Sequence, residues 1–145
     1  MSVYFCDTSV LFKRYLQEVG TQEIQEILSH AKTIVISVLT DLELTAALEQ
    51  AKRQRRVNSP EYRKINPMLE KDLTDARLLK VPVDDAVIQL SRGFIRRHAL
   101  RPADSIQLAS AVLASKKLGG ELSFVCADQT LVNAARLERL SCIGL

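Results

Sequence analysis

Tryptophan is absent from the 145 residues, and aromatic side chains amount to only 5% of them. So sparse a set does not supply the row of stacking rings that many single-strand-binding surfaces use. Glycine (5) and proline (4) are also scarce, and there is no internal repeat or low-complexity stretch, which excludes collagen-like, linker-like and disordered chains. No apolar run approaches the roughly 18 to 20 residues that a membrane span requires. The N-terminal MSVYFCDTS has an apolar stretch of only four residues with no basic segment before it. Neither secretion nor membrane insertion is therefore expected. The three cysteines, Cys6, Cys126 and Cys142, form an odd set, each inside a short apolar run, and read as small core side chains in a reducing, cytoplasmic setting. His30 and His98 stand alone, so no zinc-type cluster of imidazoles and thiolates is expected.

What is present is a chain with 47% apolar and 26% charged residues, enough for one well-buried core and too short to divide comfortably, so residues 1–145 read as a single domain. Short apolar runs, VYFC (3–6), TIVIS (33–37), ARLLKV (76–81), LSFVCA (122–127) and SCIGL (141–145), alternate with stretches of helical periodicity. Those rich in Val and Ile are apolar on both faces, as strands are when helices cover a parallel sheet from either side. Helix starts and stops are marked by Thr21 ahead of Glu23 and Glu26, by Ser59-Pro60-Glu61, by Asp84, and by Gly119 closing a helix that begins near Arg101. The segment from Arg56 to Ser59 reads as the turn of a helical hairpin. The order predicts an α/β fold, a three-layer α/β/α sandwich around a mainly parallel sheet of four to five strands, with ligands outside the carboxyl ends of the strands.

Four acids stand out against that frame. Asp7 follows the first strand and Asp128 the fourth, which puts both on the ligand-binding edge. Glu43 falls in the first turns of the helix after the second strand, on a stripe with Leu39, Ala46 and Ala47, and Asp104 interrupts the inward face formed by Leu108, Ala111 and Val112. Each has an ordinary reading: Asp7 and Asp128 as helix N-caps, Asp104 as a first-turn residue answering the helix dipole, Glu43 as a partner of a nearby arginine. Taken together, four acids from four segments at one sheet edge, with no basic residue adjacent in sequence, would repel one another unless a cation were bound. Oxygen-only ligands point to a hard ion, Mg²⁺ or Mn²⁺, and such a site suits phosphodiester hydrolysis. Asp41, Asp84 and Asp85 read as helix-start residues.

The segments VYFCDTSVLFKRYLQEVGT, SVLTDLELTAAL, LRPADSIQLASAVLASKKLGG and FVCADQTLVNAA, in this order, closely resemble the PIN-domain ribonucleases, in particular VapC-type toxins of bacterial and archaeal toxin-antitoxin pairs. The resemblance covers essentially the whole chain and departs only in details such as Cys6, where a bulkier apolar residue is more usual. It implies an endoribonuclease, a homodimer, a cognate antitoxin partner offering an arginine to the acidic groove, and one or two Mg²⁺ or Mn²⁺ ions per site. Asp7, Glu43, Asp104 and Asp128 fall on the family's four acidic positions and Ser9 on its accessory hydroxyl position. Asp7, Asp104 and Asp128 would hold the metal, and Glu43 would act through a water, as ligand or base. The products would carry a 5′-phosphate and a 3′-hydroxyl.

The net charge of +3 is uneven: residues 1–75 carry 10 basic against 11 acidic side chains and residues 76–145 carry 10 against 6. A basic second half suits an anionic polymer such as RNA. Arg96, Arg97 and Arg101, just ahead of the Asp104 helix, are the candidate RNA contacts. The KRQRR run (52–56), with Arg63 and Lys64, suits dimer or antitoxin contacts or simply a solvated helix face. Two other readings compete with the toxin: a PIN nuclease for RNA processing without an antitoxin, and a receiver-like or non-catalytic RNA-binding module. The receiver reading lacks an acidic pair after the first strand and a lysine after the fifth.

Overall fold

In the computed structural model, which describes residues 2–145, five strands form one parallel sheet in the order β3-β2-β1-β4-β5. The strands are β1 (Val3–Cys6), β2 (Thr33–Ser37), β3 (Leu78–Val81), β4 (Ser123–Cys126) and β5 (Ser141–Gly144). They fall inside the five runs expected from sequence, trimmed by a residue or two at three of them. The helices are α1 (Thr8–Phe12), α2 (Thr21–His30), α3 (Leu39–Arg53), α4 (Ser59–Asp72), α5 (Asp85–His98), α6 (Pro102–Lys117) and α7 (Gln129–Leu137). The expected hairpin turn joins α3 to α4, and Asn58 and Glu61 close a reciprocal capping box at its far side.

Strand alternation divides the core into two layers. Phe5, Val35, Phe124 and Cys126 face the α5, α6 and α7 side, where they pack with Val87, Phe94, Leu108 and Leu131. Cys6, Ile34, Ile36 and Val125 face the α1 to α4 side, with Val10, Ile24, Leu44, Leu48 and Leu69. Helix α6 is buried along most of its length, which is why its sequence lacks the one-sided pattern of a surface helix. The central strands are almost wholly buried, while edge strands β3 and β5 are partly exposed.

The sheet order places the site. After β1 the chain builds β2 and β3 to one side, then crosses back through α5 and α6 to lay β4 and β5 on the other. The chain therefore diverges from β1 in both directions, and such a switch point opens a crevice at the carboxyl ends of the two diverging neighbours. Asp7 and Asp128 follow β1 and β4, the pair at that crevice.

Candidate active site

Helix α1 starts immediately after β1 because Asp7 caps it: the extended backbone at Asp7 lets its Oδ1 accept from the Val10 N–H at 3.1 Å. The Ser9 hydroxyl lies 3.0 Å from both carboxylate oxygens, and the Cys126 thiol donates to Oδ2 at 3.3 Å. Asp7 is only 5% exposed. Burial pushes its carboxyl above the ordinary range, the hydrogen bonds from Val10, Cys126 and Ser9 oppose that, and the charge of Asp104 adds to the rise. Asp128 caps α7 in the same manner, its Oδ1 accepting from the Leu131 N–H at 3.0 Å. The N-cap readings of Asp7 and Asp128 are thus correct, and they occupy the backbone-facing oxygen of each carboxylate.

Glu43 stands on α3, whose buried positions are Thr40, Leu44, Leu48 and Ala51. The stripe of Leu39, Ala46 and Ala47 that it shares lies at the margin of the core: Ala46 is exposed, Ala47 packs partly buried against the α1 to α4 layer, and both alanines line the same open depression as Glu43. Its carboxylate is gripped on one oxygen, Oε1, by the Thr8 hydroxyl at 2.7 Å and the Gln107 amide at 2.9 Å. Asp104, three residues before Gln107 on α6, is paired with Arg101 at 3.3 Å. No acid has a basic residue adjacent in sequence, but Arg101, three residues ahead of Asp104, reaches it with 82% of its side chain exposed.

All four acids line one depression of about 480 Å³ at the carboxyl edge of the sheet, with Thr8, Ser9, Gln107, Arg101 and, at the rim, Glu18 and Arg56. It continues past Asp104 and Asp128 into a smaller one of about 200 Å³ bounded by Ala99, Leu100 and Thr130. Among the described residues no three Asp, Glu, His or Cys side chains stand together at ligand spacing. Unscreened carboxylates repel, and here capping bonds and Arg101 hold them apart. The donor set is still suited to Mg²⁺ or Mn²⁺: all oxygen, one member buried, and open enough to leave the ion several waters, as Mg²⁺ requires.

Of the three arginines named as RNA contacts, only Arg101 lies at the depression. Arg97 pairs with Glu138 at 3.2 Å and lies over the Phe94 ring at 5.1 Å, and Arg96 is exposed on α5 away from the lining residues. Thr8, Gln107 and Cys126 went unrecognised in the sequence. Gln107 carries a usable signal, a long polar side chain one turn from Asp104 in the segment IQLASAVLA (106–114), whose other members are apolar or small. Cys126 is buried as expected but also touches Asp7. Cys6 is buried and Cys142 only partly so, and all three thiols are free.

A family model described as PIN domain matches residues 4–136. Similar solved structures include a member of the VapBC family of toxin-antitoxin systems, VapBC-5 from Mycobacterium tuberculosis, at 16% identity and TM-score 0.65 over 100% of both chains. VapBC2 from Rickettsia felis, bound to a DNA fragment from their promoter, is similar at 14% identity and TM-score 0.63 over 99% of this chain and 98% of that one. PAE2754 from Pyrobaculum aerophilum is similar at 22% identity and TM-score 0.62 over 92% and 79%. No curated protein matches the chain.

Proposed function

Because the chain belongs to the PIN domain family, we propose that it is a divalent-metal-dependent endoribonuclease, one nuclease domain acting as the toxin of a toxin-antitoxin pair. One observation carries this reading: four acids from four separate segments line a single depression at the switch point of the sheet, and of these four only Asp104 has a basic partner among the described residues. Ordinary surface acids are solvated or paired; a buried carboxylate held above its usual pKa beside a second acid is arranged for a cation.

Asp7, Asp104 and Asp128 would hold the ion, directly or through its waters, with Ser9 fixing the orientation of Asp7. When bound, Mg²⁺ or Mn²⁺ lowers the pKa of the attacking water and neutralises charge on the phosphate. Glu43, with Oε1 occupied, offers Oε2 to orient or deprotonate that water. Arg101 is placed to meet a phosphate of the RNA, a role that would free Asp104 from its present pairing. Attack by water in place of the ribose 2′-hydroxyl leaves a 5′-phosphate and a 3′-hydroxyl. The same reading includes a cytoplasmic homodimer and a cognate antitoxin; the antitoxin is supported by the similar VapBC toxin-antitoxin structures, and a protein partner by apolar side chains left exposed, such as Leu42 (72%) and Leu137 (73%). No helix among the described residues is long and apolar enough to cross a membrane.

The test is cleavage of total RNA by the purified protein with Mg²⁺, Mn²⁺ or EDTA, beside Asp7→Asn and Asp104→Asn variants of verified fold. Metal-dependent cleavage lost in both variants, with 5′-phosphate ends, is the expected result. Cleavage that survives EDTA and both substitutions would refute it.

A further inference from the structure

We propose that Gln107 is a positioning residue for Glu43, holding one carboxylate oxygen so that the other faces the depression; this rests on the nuclease reading above for its functional meaning. Gln107 is 3% exposed and on α6, Glu43 is on α3, and Thr8 is on α1, so the three elements that flank the crevice meet at one polar knot in the wall of the depression, where the core begins. The Gln107 amide nitrogen is 2.9 Å from Glu43 Oε1 and 3.2 Å from the Thr40 hydroxyl, which uses its two hydrogens. The Thr8 hydroxyl donates to the same Glu43 oxygen at 2.7 Å, with Thr40 3.1 Å behind it.

The orientation of the amide is determined by this chemistry. Turning it over would set its carbonyl oxygen against a carboxylate oxygen, two acceptors with no proton between them. In the orientation present, Gln107 Oε1 is buried without a hydrogen-bond partner among the described residues. A buried polar atom left unpaired costs on folding, so a side chain needed only to fill space here would be better replaced by Leu. The amide is explained by what its nitrogen does for Glu43. Two donors on Oε1 confine a flexible three-torsion side chain to one rotamer and leave Oε2 as the oxygen available to a water in the depression.

The experiment is a double-mutant cycle of Gln107→Leu with Glu43→Ala, read in two ways on the full chain. In urea unfolding with EDTA, Gln107→Leu should change the midpoint by a different amount in the wild-type and Glu43→Ala backgrounds, because the amide's partner is present in only one. In single-turnover cleavage with Mn²⁺, Gln107→Leu should lower the rate at saturating RNA about 10- to 100-fold with little change in the RNA concentration required. In the Glu43→Ala background it should have under a twofold effect. Equal midpoint shifts in both backgrounds, or equal fold-losses of rate, would overturn the proposal. A wild-type protein that cleaves no RNA with any metal would refute the nuclease reading while the unfolding cycle still decides whether Gln107 acts on Glu43.

Discussion

Replacing Asp7 with Asn should stabilise the metal-free protein while abolishing its activity. Asn is as good an N-cap as Asp, so the bond from the Val10 N–H to Oδ1 survives and α1 keeps its start. What disappears is a charge at a position 5% exposed, pushed above its ordinary pKa mainly by burial and further by Asp104. A native carboxyl whose pKa exceeds its unfolded value binds its proton more tightly when folded, so ionising it destabilises the fold. The penalty grows as pH rises through the interval between the unfolded and folded values and is absent below both. At neutral pH, with EDTA, relief of that charge is worth on the order of 1–3 kcal/mol, offset in part by the weak thiol bond from Cys126. This corresponds to a urea midpoint higher by roughly 1 M. Metal should reverse the order, because the wild type gains about 2.7 kcal/mol when the free ion is at 100 times its Kd, and the variant gains little. The assay is urea unfolding followed by circular dichroism, at pH 7.5 and in the acid range, with EDTA or Mn²⁺. A variant less stable than wild type in EDTA at neutral pH would show that ionised Asp7 supports the fold on its own, and the argument for a cation would lose its footing.

Arg101→Gln, with its side chain 82% exposed, should leave the melting temperature unchanged while raising the RNA concentration needed for half-maximal cleavage; the salt slope of binding should fall by about one, measured by fluorescence titration. Burial pushes Glu138 up, but hydrogen bonds from His98 and Arg97 outweigh it and hold the carboxyl below its ordinary value. Its contribution is therefore present above the unfolded pKa and lost as pH falls through the folded one, so the stability gap between wild type and Glu138→Gln should narrow in acid unfolding below about pH 4. Leu108→Ala, at a side chain with no exposure in the layer beneath the sheet, should cost about 2–5 kcal/mol in chemical unfolding. Asp128→Ala should lose activity and also roughly 1 kcal/mol of stability, whereas Asp128→Asn should lose activity alone, since only Asn preserves the cap on α7.

The strands were legible because each is a short apolar run and a parallel sheet buries both faces of its central members, as β1, β2 and β4 show. Helix starts are legible where a side chain does the capping, as at Asp84, and the Ser59-Pro60-Glu61 signal marks α4 although its cap is Asn58, one residue earlier. The acids were found for a different reason: they sit at strand ends or interrupt faces where a charge is out of place. Glu43 shows the limit of that reasoning. Its stripe suggested the core by composition, but small alanines such as Ala46 and Ala47 are equally at home on the wall of an open depression, and periodicity alone does not separate the two. Thr8 leaves no local trace, because its role depends on α1, α3 and α6 meeting at one point, and the polar signal of Gln107 gains its meaning only from the same long-range packing. Arg96 and Arg97 are near Asp104 in sequence, yet the αL turn at Ala99 (φ 52°) ends α5 before Arg101; neither lines the depression, and Arg97 is paired with Glu138.

The strand order also sets a sequence of events during synthesis. β1 emerges first and finds β2 after some thirty residues, but its other neighbour, β4, is nearly the last segment of the sheet to be made. A nascent chain that has delivered α1 to α5 holds Asp7 and Glu43 yet has neither Asp104 nor Asp128, and one flank of β1 is still open. Local pairings form early and the distant one late, because loop closure must precede any contact that rewards it. On the nuclease function proposed above, the chain would be translated in immediate contact with its own class of substrate, messenger and ribosomal RNA. With Asp104 on the crossover helix α6 and Asp128 beyond it, after β4, the four acids come together only when the chain is almost complete, and prematurely terminated products are without the full set.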